Sequence, residues 1–173
     1  MSPTPCSASL ICIHFGSGSA RRSGLLDRVE AFLTEEGIRF TELGGVVANP
    51  ALSLVREGIA LAQKEGVDFV LAVGGGSVLD SAKAIANPEA DVWDFFQGKA
   101  VPVRTLPKGA ILTLAAAGSE MSASCVISNT ETGEKRGFNS AFNRMNFAIE
   151  NPALTYTVSP YQTACGAVDI AMH

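Results

Sequence analysis

The chain has 173 residues, of which 47% are hydrophobic, so it can form one domain with a substantial core. Its net charge is −4, and basic residues are scattered apart from Arg21–Arg22 and Lys135–Arg136. This pattern argues against nucleic acid or a membrane surface as a partner. The amino-terminal stretch MSPTPCSASLICIHF has no basic region, and its apolar run is too short for a membrane span. We therefore expect a cytoplasmic protein.

The first part of the chain alternates between strand and helix patterns. LICIHF predicts a strand, GSGS predicts a turn, and residues 24–33 carry hydrophobic side chains at helical spacing. IRFTEL then predicts a second strand, and ALSLVREGIALAQKEG predicts a helix that ends at glycine. The four cysteines have neither a CxxC pair nor metal-type spacing, which favours reduced thiols.

The alternation continues along the rest of the chain. The stretch from Phe69 to Ala86 predicts a buried strand, three glycines and a helix, and another buried strand begins at Ala110. Polar residues 129–147 predict a hairpin or an excursion, and FAIEN predicts a further strand. Ser159 is suited to cap a last helix over about 159–173. We interpret residues 1–173 as one α/β domain with a parallel, Rossmann-like sheet for binding a dinucleotide.

The glycines after the third strand predict a phosphate site. Glycine allows a ligand to approach the backbone closely, and the N–H groups at a helix start favour an anion. Gly75 and Gly76 would form the cradle, and the Ser77 hydroxyl could add a donor. Asp80 could accept a hydrogen bond from the ligand or act only as a carboxylate favourable to the helix dipole. The alternative for the whole motif is a tight turn needed for packing.

A second glycine turn follows the first strand. Gly16, Gly18 and Ser19 lie in FGSGSARRSG, which does not match the GxGxxG fingerprint. Two such turns at the carboxyl ends of parallel strands indicate a dinucleotide rather than a single phosphate. Arg21 or Arg22 could attract a phosphate or simply be solvated, and Glu42 could accept from a ribose hydroxyl or be an exposed strand residue.

The carboxyl-terminal stretch AVDIAMH predicts half of a metal site. Asp169 and His173 are four residues apart, so a helix would present both on one face to a divalent cation. Without further context, a surface ion pair explains the same spacing. The other histidine, His14, lies within a strand and is better explained as a packed core residue.

Three separated motifs resemble the iron-containing alcohol dehydrogenase family. They are AVGGGSVLDSAKAIA, AGSEMSASCVIS and NPALTYTVSPYQTACGAVDIAMH. FGSGSARRSGLLDRV, ELGGVVANP and TGEKRGFNSAF are similar to the branch of NADPH-dependent butanol dehydrogenases and aldehyde reductases. The resemblance covers the chain from about Leu10 to His173.

The resemblance implies an α/β dinucleotide-binding domain followed by an all-helical domain. A homodimer is an alternative to a monomer. It places the NADP(H) pyrophosphate at Gly75, Gly76 and Ser77, with Asp80 beside it. Ser119 and Lys135, within the shared motifs, are further expected cofactor contacts. It makes Asp169 and His173 ligands of iron or zinc, which would polarise the oxygen of a small alcohol or aldehyde during hydride transfer.

The chain also departs from the family pattern. By comparison with that pattern, we expect the two further metal histidines of the helical domain to lie beyond His173, and we expect this chain to lack the strand that usually precedes SLICIHF. Ala115 and Ala117 stand where related proteins have proline and threonine, so one hydroxyl is absent. A truncated, non-catalytic nucleotide-binding module therefore remains an alternative, as does a glycerol or maleylacetate-type reductase.

The resemblance also predicts the cofactor preference. Members that use NAD tend to have an aspartate where this chain has Gly44, and its carboxylate would repel a 2′-phosphate. We expect Gly44 to leave room for that phosphate, with Ser19 and Arg21 or Arg22 as donors, and hence NADPH to be preferred. Glu42 complicates this expectation because residues two apart on a strand share a face.

Overall fold

A computed structural model describes residues 8–88 and 91–172. The strands are β1 (Leu10–Gly16), β2 (Arg39–Val46), β3 (Phe69–Gly74), β4 (Lys108–Leu112), β5 (Ser124–Asn129), β6 (Glu134–Asn139) and β7 (Phe147–Ile149). The helices are α1 (Ser19–Arg22), α2 (Leu25–Glu35), α3 (Leu52–Glu65), α4 (Gly76–Ile85), α5 (Val92–Phe96) and α6 (Pro160–Met172). Short 3₁₀ turns occupy Ala141–Asn143 and Pro152–Thr155.

The main sheet is parallel, with the strand order β2-β1-β3-β4-β7. This arrangement confirms the predicted α/β, Rossmann-like fold. The chain adds β2 on one side of β1 and β3 on the other, so the connections diverge beyond the carboxyl ends of β1 and β3. Open α/β sheets bind ligands at such a switch point.

Strand alternation divides the hydrophobic core between the two faces of the sheet. Leu10 and Cys12 pack with residues of α3, α4, α5 and β5, whereas Ile11 and Ile13 pack with residues of α2. The α2 helix does not cover the whole of the sheet face on which it packs. An apolar groove of about 340 Å³ remains there, and its lining includes Phe32, Leu71, Ile111, Phe147 and Ile149.

Several local predictions are confirmed and others are refined. FAIEN contains β7, and the Ser159 hydroxyl accepts from the Gln162 N–H at the start of α6. The polar excursion of residues 129–147 contains the β5–β6 turn and β6, whereas β5 of this antiparallel hairpin begins earlier, at Ser124. Gly24, with φ of 73°, separates α1 from α2. The α5 helix was not predicted, because its five residues are too few to display helical periodicity.

The described helices include none with the length and apolar character needed to cross a bilayer. Cys12, Cys125 and Cys165 are free thiols, and burial raises the pKa of Cys12 to about 11. Burial also raises the pKa of Cys125 well above its ordinary value, so neither buried thiol is poised as a nucleophile.

Candidate functional site

A cleft of about 620 Å³ lies at the carboxyl ends of the parallel strands. It brings together Ser19 from the first glycine turn and Gly75 from the second, as the sequence predicts. Its other lining residues are Ala20, Ser23, Leu25, Arg28, Thr113, Leu114, Asn151, Ala153, Leu154, Thr157, Val158, Ser159 and Gln162. The cleft therefore extends from the β3–α4 turn past α1 and α2 to the start of α6.

The three consecutive glycines of the β3–α4 turn have different surroundings. A Cβ on Gly74 would lie 2.5 Å from a methyl carbon of Val78, so packing within the protein requires glycine there. A Cβ on Gly75 would meet only Leu114, at 3.6 Å, and one on Gly76 would meet only Ser119, at 4.0 Å. Neither Gly75 nor Gly76 has a positive φ. Protein packing therefore does not require glycine at these two positions, which form an open cradle.

The start of α4 presents hydrogen-bond donors to this cradle. The Gly75 carbonyl accepts from the N–H groups of Val78 and Leu79, and no side chain caps the helix. Within residues 8–88 and 91–172, no protein group accepts from the N–H of Gly76 or Ser77. Unsatisfied amides at the positive end of a helix dipole favour an anion. The cradle thus fits the phosphate group predicted for Gly75, Gly76 and Ser77.

The first glycine turn requires glycine for a different reason. Gly16 ends β1, and Gly18 has φ of 135°, a conformation that side-chain-bearing residues rarely adopt. The position of a Gly18 Cβ is 2.9 Å from Nη1 of Arg22, so this guanidinium lies directly against the turn. Ser19 then begins α1 and lines the cleft.

Arg21 is not available to a phosphate in the way the sequence suggested. Its guanidinium contacts the carboxylates of Asp27, Glu30 and Glu42, and it lies 5.5 Å from the centre of the Phe15 ring. Desolvation, and then the Glu30 charge, raise the pKa of Glu42. The Arg21 charge opposes these effects on the pKa of Glu42, and the ion pair between the two side chains occupies the Arg21 guanidinium.

Gly44 does not leave the open space that the sequence predicts. A Cβ at this position would lie 2.5 Å from the ring of Phe15, which fills the direction a side chain would take. The expectation that the missing side chain of Gly44 leaves open space is therefore wrong. Arg22 lies against Gly18, and Arg28 is among the described residues that line the cleft.

Asp80 and Ser119 are half-buried and contact each other. The Ser119 hydroxyl donates to Asp80 Oδ1 at 2.7 Å, and the Val126 N–H donates to Asp80 Oδ2 at 2.9 Å. Both carboxylate oxygens of Asp80 therefore hold the segment that leads into the β5–β6 hairpin. Both residues are predicted cofactor contacts. Ser119 lies beside the cradle, and Asp80 holds Ser119 there through a hydrogen bond.

Lys135 lies on β6, and its ammonium donates to Asn49 Oδ1 at 2.7 Å. Asn49 belongs to the loop after β2 and has φ of 57°. Lys135 is not among the described residues that line the cleft. Lys135, which was predicted to contact the cofactor, thus binds the β2–α3 loop in this structure.

One wall of the cleft was not predicted from the sequence; it is formed by Thr113, Leu114, Leu154 and Val158. Thr113 and Leu114 directly follow β4, and the carboxyl end of a parallel strand is a signal that could have identified them. Leu154 and Val158 come from the irregular segment after β7, where no periodic pattern marks a contact with a distant turn.

Asp169 lies on α6 and is partly buried, whereas His173 is outside the described residues. Within the part of the chain that the structure describes, no three histidine, cysteine or acidic side chains are grouped as a metal site would require. The described residues alone therefore do not form the predicted iron or zinc site.

Comparisons with known proteins agree with this fold and this cleft. The sequence pattern of the family described as iron-containing alcohol dehydrogenase matches residues 5–152. A probable NADH-dependent butanol dehydrogenase of Bacillus subtilis is 45% identical over 166 residues, which are 94% of this chain and 43% of that protein. The NADPH-dependent aldehyde reductase YqhD of Escherichia coli is 41% identical over 169 residues, with the same coverage of 94% and 43%.

A solved structure gives the same result. The crystal structure of NADH-dependent butanol dehydrogenase A from Thermotoga maritima superimposes with a TM-score of 0.92 at 41% identity. The match covers 96% of this chain and 42% of that one, so the chain spans less than half the length of the relatives it matches. The sequence match, the shared fold and the glycine cradle together show that the chain belongs to the iron-containing alcohol dehydrogenase family.

Proposed function

We propose that this chain is the nicotinamide-dinucleotide-binding domain of a metal-dependent alcohol dehydrogenase or aldehyde reductase. The observation that carries the proposal is the open cradle at Gly75 and Gly76. The unsatisfied amides of Gly76 and Ser77 directly follow Gly75, which lines a cleft large enough for an extended ligand. The pyrophosphate would accept from the N–H groups of Gly76 and Ser77. The bound nicotinamide would supply hydride exchange with a primary alcohol or aldehyde.

We propose NADP(H) as the cofactor, on grounds that differ from those taken from the sequence. Arg22 lies against the first glycine turn, and Ser19 provides a hydroxyl in the cleft beside it. Together these donors would hold a 2′-phosphate, whereas Arg21 is engaged by acidic residues. Relatives named for NADH and for NADPH occur at similar identity, so the preference depends on these local contacts.

We propose that Asp169 and His173 supply two ligands of a divalent metal, iron or zinc. A carboxylate and an imidazole suit either ion, and the remaining ligands would come from outside the described residues. In the complete site the metal would act as a Lewis acid on the substrate oxygen.

Two other proposals predict different activities. A non-catalytic module would bind the dinucleotide without oxidising it, and a glycerol or maleylacetate-type reductase would act on another substrate. Following NADPH oxidation with short aldehydes, with glycerol oxidation and maleylacetate reduction assayed alongside, distinguishes the three. Each assay is run with and without added Fe²⁺ or Zn²⁺.

The binding proposal is tested by Gly76→Val. The added side chain would enter the cradle without straining the backbone, so the variant should fold and lose NADPH affinity by about a hundredfold or more, as expected when a phosphate loses its donors. Gly137→Val is the matched control, because its Cβ would meet only Val126, at 3.8 Å, on the distant hairpin. Titration calorimetry measures affinity and circular dichroism checks folding.

Equal NADPH affinity in the parent, folded Gly76→Val and Gly137→Val would place the phosphate elsewhere. A folded parent that binds neither NADPH nor NADH would contradict the proposed function itself.

A further inference from the structure

Lys83 is a buried lysine whose hydrogen bonds all go to one segment of the chain. It lies on α4, two turns after the glycine cradle, and its side chain is fully buried. Its ammonium donates to Ser119 Oγ at 2.9 Å, to the Ser122 carbonyl at 3.2 Å and to the Ser124 carbonyl at 2.7 Å. Burial lowers its pKa, opposed by the nearby Asp80 carboxylate. Lys83 thus uses three donors to hold residues 119–124.

Asp80 holds the same segment from one turn earlier on α4. Its carboxylate lies 3.6 Å from the Lys83 ammonium and accepts from the Ser119 hydroxyl and the Val126 N–H. Ser119 therefore accepts from Lys83 and donates to Asp80. The three side chains form a continuous polar network that joins α4 to the segment leading into β5.

This segment forms one wall of the cradle. The Cβ of Ser119 is 4.0 Å from where a Cβ on Gly76 would be, and the Cβ of Leu114 is 3.6 Å from the equivalent point on Gly75. Both residues belong to the irregular chain between β4 and β5. Backbone bonds to the sheets hold its two ends, where the Thr113 N–H donates to the Gly74 carbonyl and the Ser140 N–H donates to the Ala123 carbonyl. The position of Ser119 beside the cradle therefore depends on what anchors the middle of this segment to α4.

Stability alone gives a weak reason for a lysine at this position. Burying an ammonium is costly even with good partners, and apolar residues of similar volume often replace buried ion pairs without loss. A hydrophobic side chain would also fit the core around α4, but it could not bind two carbonyls and a hydroxyl together. What a lysine adds at this position is a set of hydrogen bonds that fixes the conformation of residues 119–124.

We propose that Lys83 is a positioning residue for the bound dinucleotide, holding residues 119–124 against the glycine cradle through Ser119. The inference rests on the proposed dinucleotide binding. Lys83 itself does not contact the cofactor in this arrangement.

The chain offers a matched control in Lys108, a second buried lysine. Its ammonium donates to Thr105 Oγ1, to the Leu106 carbonyl and to the Phe142 carbonyl. Lys108 begins β4, at the amino ends of the strands and opposite to the cleft. Lys83→Met and Lys108→Met thus remove the same charge from similar burial, but only the first releases the wall of the cradle.

The test compares NADPH affinity in the parent and both variants at a temperature where all are folded. We expect Lys83→Met to bind at least about tenfold more weakly and Lys108→Met to stay within about twofold of the parent. Ser119→Ala completes a double-mutant cycle with Lys83→Met. If Lys83 acts through Ser119, their effects on affinity are strongly non-additive, whereas general damage to the fold would give additive effects.

Failure of the inference is distinguishable from failure of the proposed function. A folded parent that does not bind NADPH overturns both, whereas tight binding by parent and Lys83→Met alike overturns only the role of Lys83. Equal losses in the two lysine variants, or additive effects in the cycle, also overturn it. If Lys83→Met does not fold, NMR of the lysine ammonium groups in the parent decides: saturating NADPH should shift the Lys83 signal and leave Lys108 unchanged, and an unchanged Lys83 signal contradicts the inference.

Discussion

Adjacent arginines at the first glycine turn differ in what they can bind. Arg21 contacts three carboxylates, whereas the guanidinium of Arg22 lies against Gly18 beside the cleft. Position in the sequence could not separate them, because the side-chain directions depend on the turn at Gly18 and on the start of α1. In the proposed cofactor complex, Arg22 is the member of this pair that would contact a 2′-phosphate.

We therefore predict that Arg22→Gln lowers NADPH affinity by about tenfold, the effect of losing one charge-assisted contact, with little change for NADH. Arg39→Gln is the control, since Arg39 begins β2 at the opposite end of the strands. Fluorescence titration with both cofactors gives the ratio. Equal loss for NADH and NADPH, or tighter NADH binding by the parent, contradicts the proposed preference.

His14 shows how a buried polar side chain is satisfied without a metal. Nδ1 lies 2.8 Å from the Leu43 carbonyl, so it carries the proton, and Nε2 accepts from the Ser81 hydroxyl at 2.8 Å. The prediction that His14 is a packed core residue is confirmed. Burial lowers its pKa from 6.5 to about 4, partly opposed by the hydrogen bond to Leu43.

This lowered pKa predicts a pH dependence of stability. As the pH falls below 6.5, the unfolded chain takes up the imidazole proton before the folded protein does. The contribution of neutral His14 is therefore complete above pH 6.5 and is lost as the pH falls towards 4, a change of about 3 kcal/mol. Urea unfolding of the parent and His14→Gln at several pH values isolates this contribution from the carboxylates. Parallel losses in both proteins would contradict it.

At the scale of secondary structure, the helices and strands can be predicted from the sequence more reliably than the contacts between them. The strands, the long helices and the glycine turns have local signals: apolar runs, helical periodicity and residues suited to sharp turns. Three tertiary contacts have no such local signal: the packing of Ser119 on the cradle, the ring of Phe15 over Gly44, and the hydrogen bonds by which Asp80 anchors the segment before β5. Each joins residues far apart in the chain, so a one-dimensional pattern carries no signal for it.

The α6 helix illustrates the same limit. Its cap at Ser159 could be predicted, but its close approach to the β4–β5 segment could not. A Cβ on Gly166 would lie 2.9 Å from the Ala115 carbonyl, so glycine permits this helix to cross the loop. The helix that carries Asp169 is thereby placed beside the wall of the cradle.

At the scale of the whole molecule, the chain corresponds to 43% of the length of relatives such as the Bacillus subtilis protein. Its described residues form the glycine cradle but not a group of three metal-ligating side chains. We therefore predict weak metal retention by the 173-residue chain. Asp169 and His173 alone would provide two ligands, fewer than a catalytic divalent ion usually has from protein.

The measurement is elemental analysis of the purified monomer after loading with Fe²⁺ or Zn²⁺ and dialysis against a chelator. We expect far less than one metal ion per chain, with Asp169→Asn as the comparison. One tightly held ion per monomer that survives dialysis would contradict this expectation.

The parallel sheet has a consequence for how the chain folds. Every neighbouring pair in the order β2-β1-β3-β4-β7 is separated in the chain by at least one other element, whereas a short turn joins β5 to β6. Long loops must close before the sheet gains any ladder bonds, which makes such topologies slow to fold. The hairpin can form early, but the acceptors for Lys83 converge only after α4 has packed on β3. We therefore expect the cradle to be completed late, after the sheet that carries it.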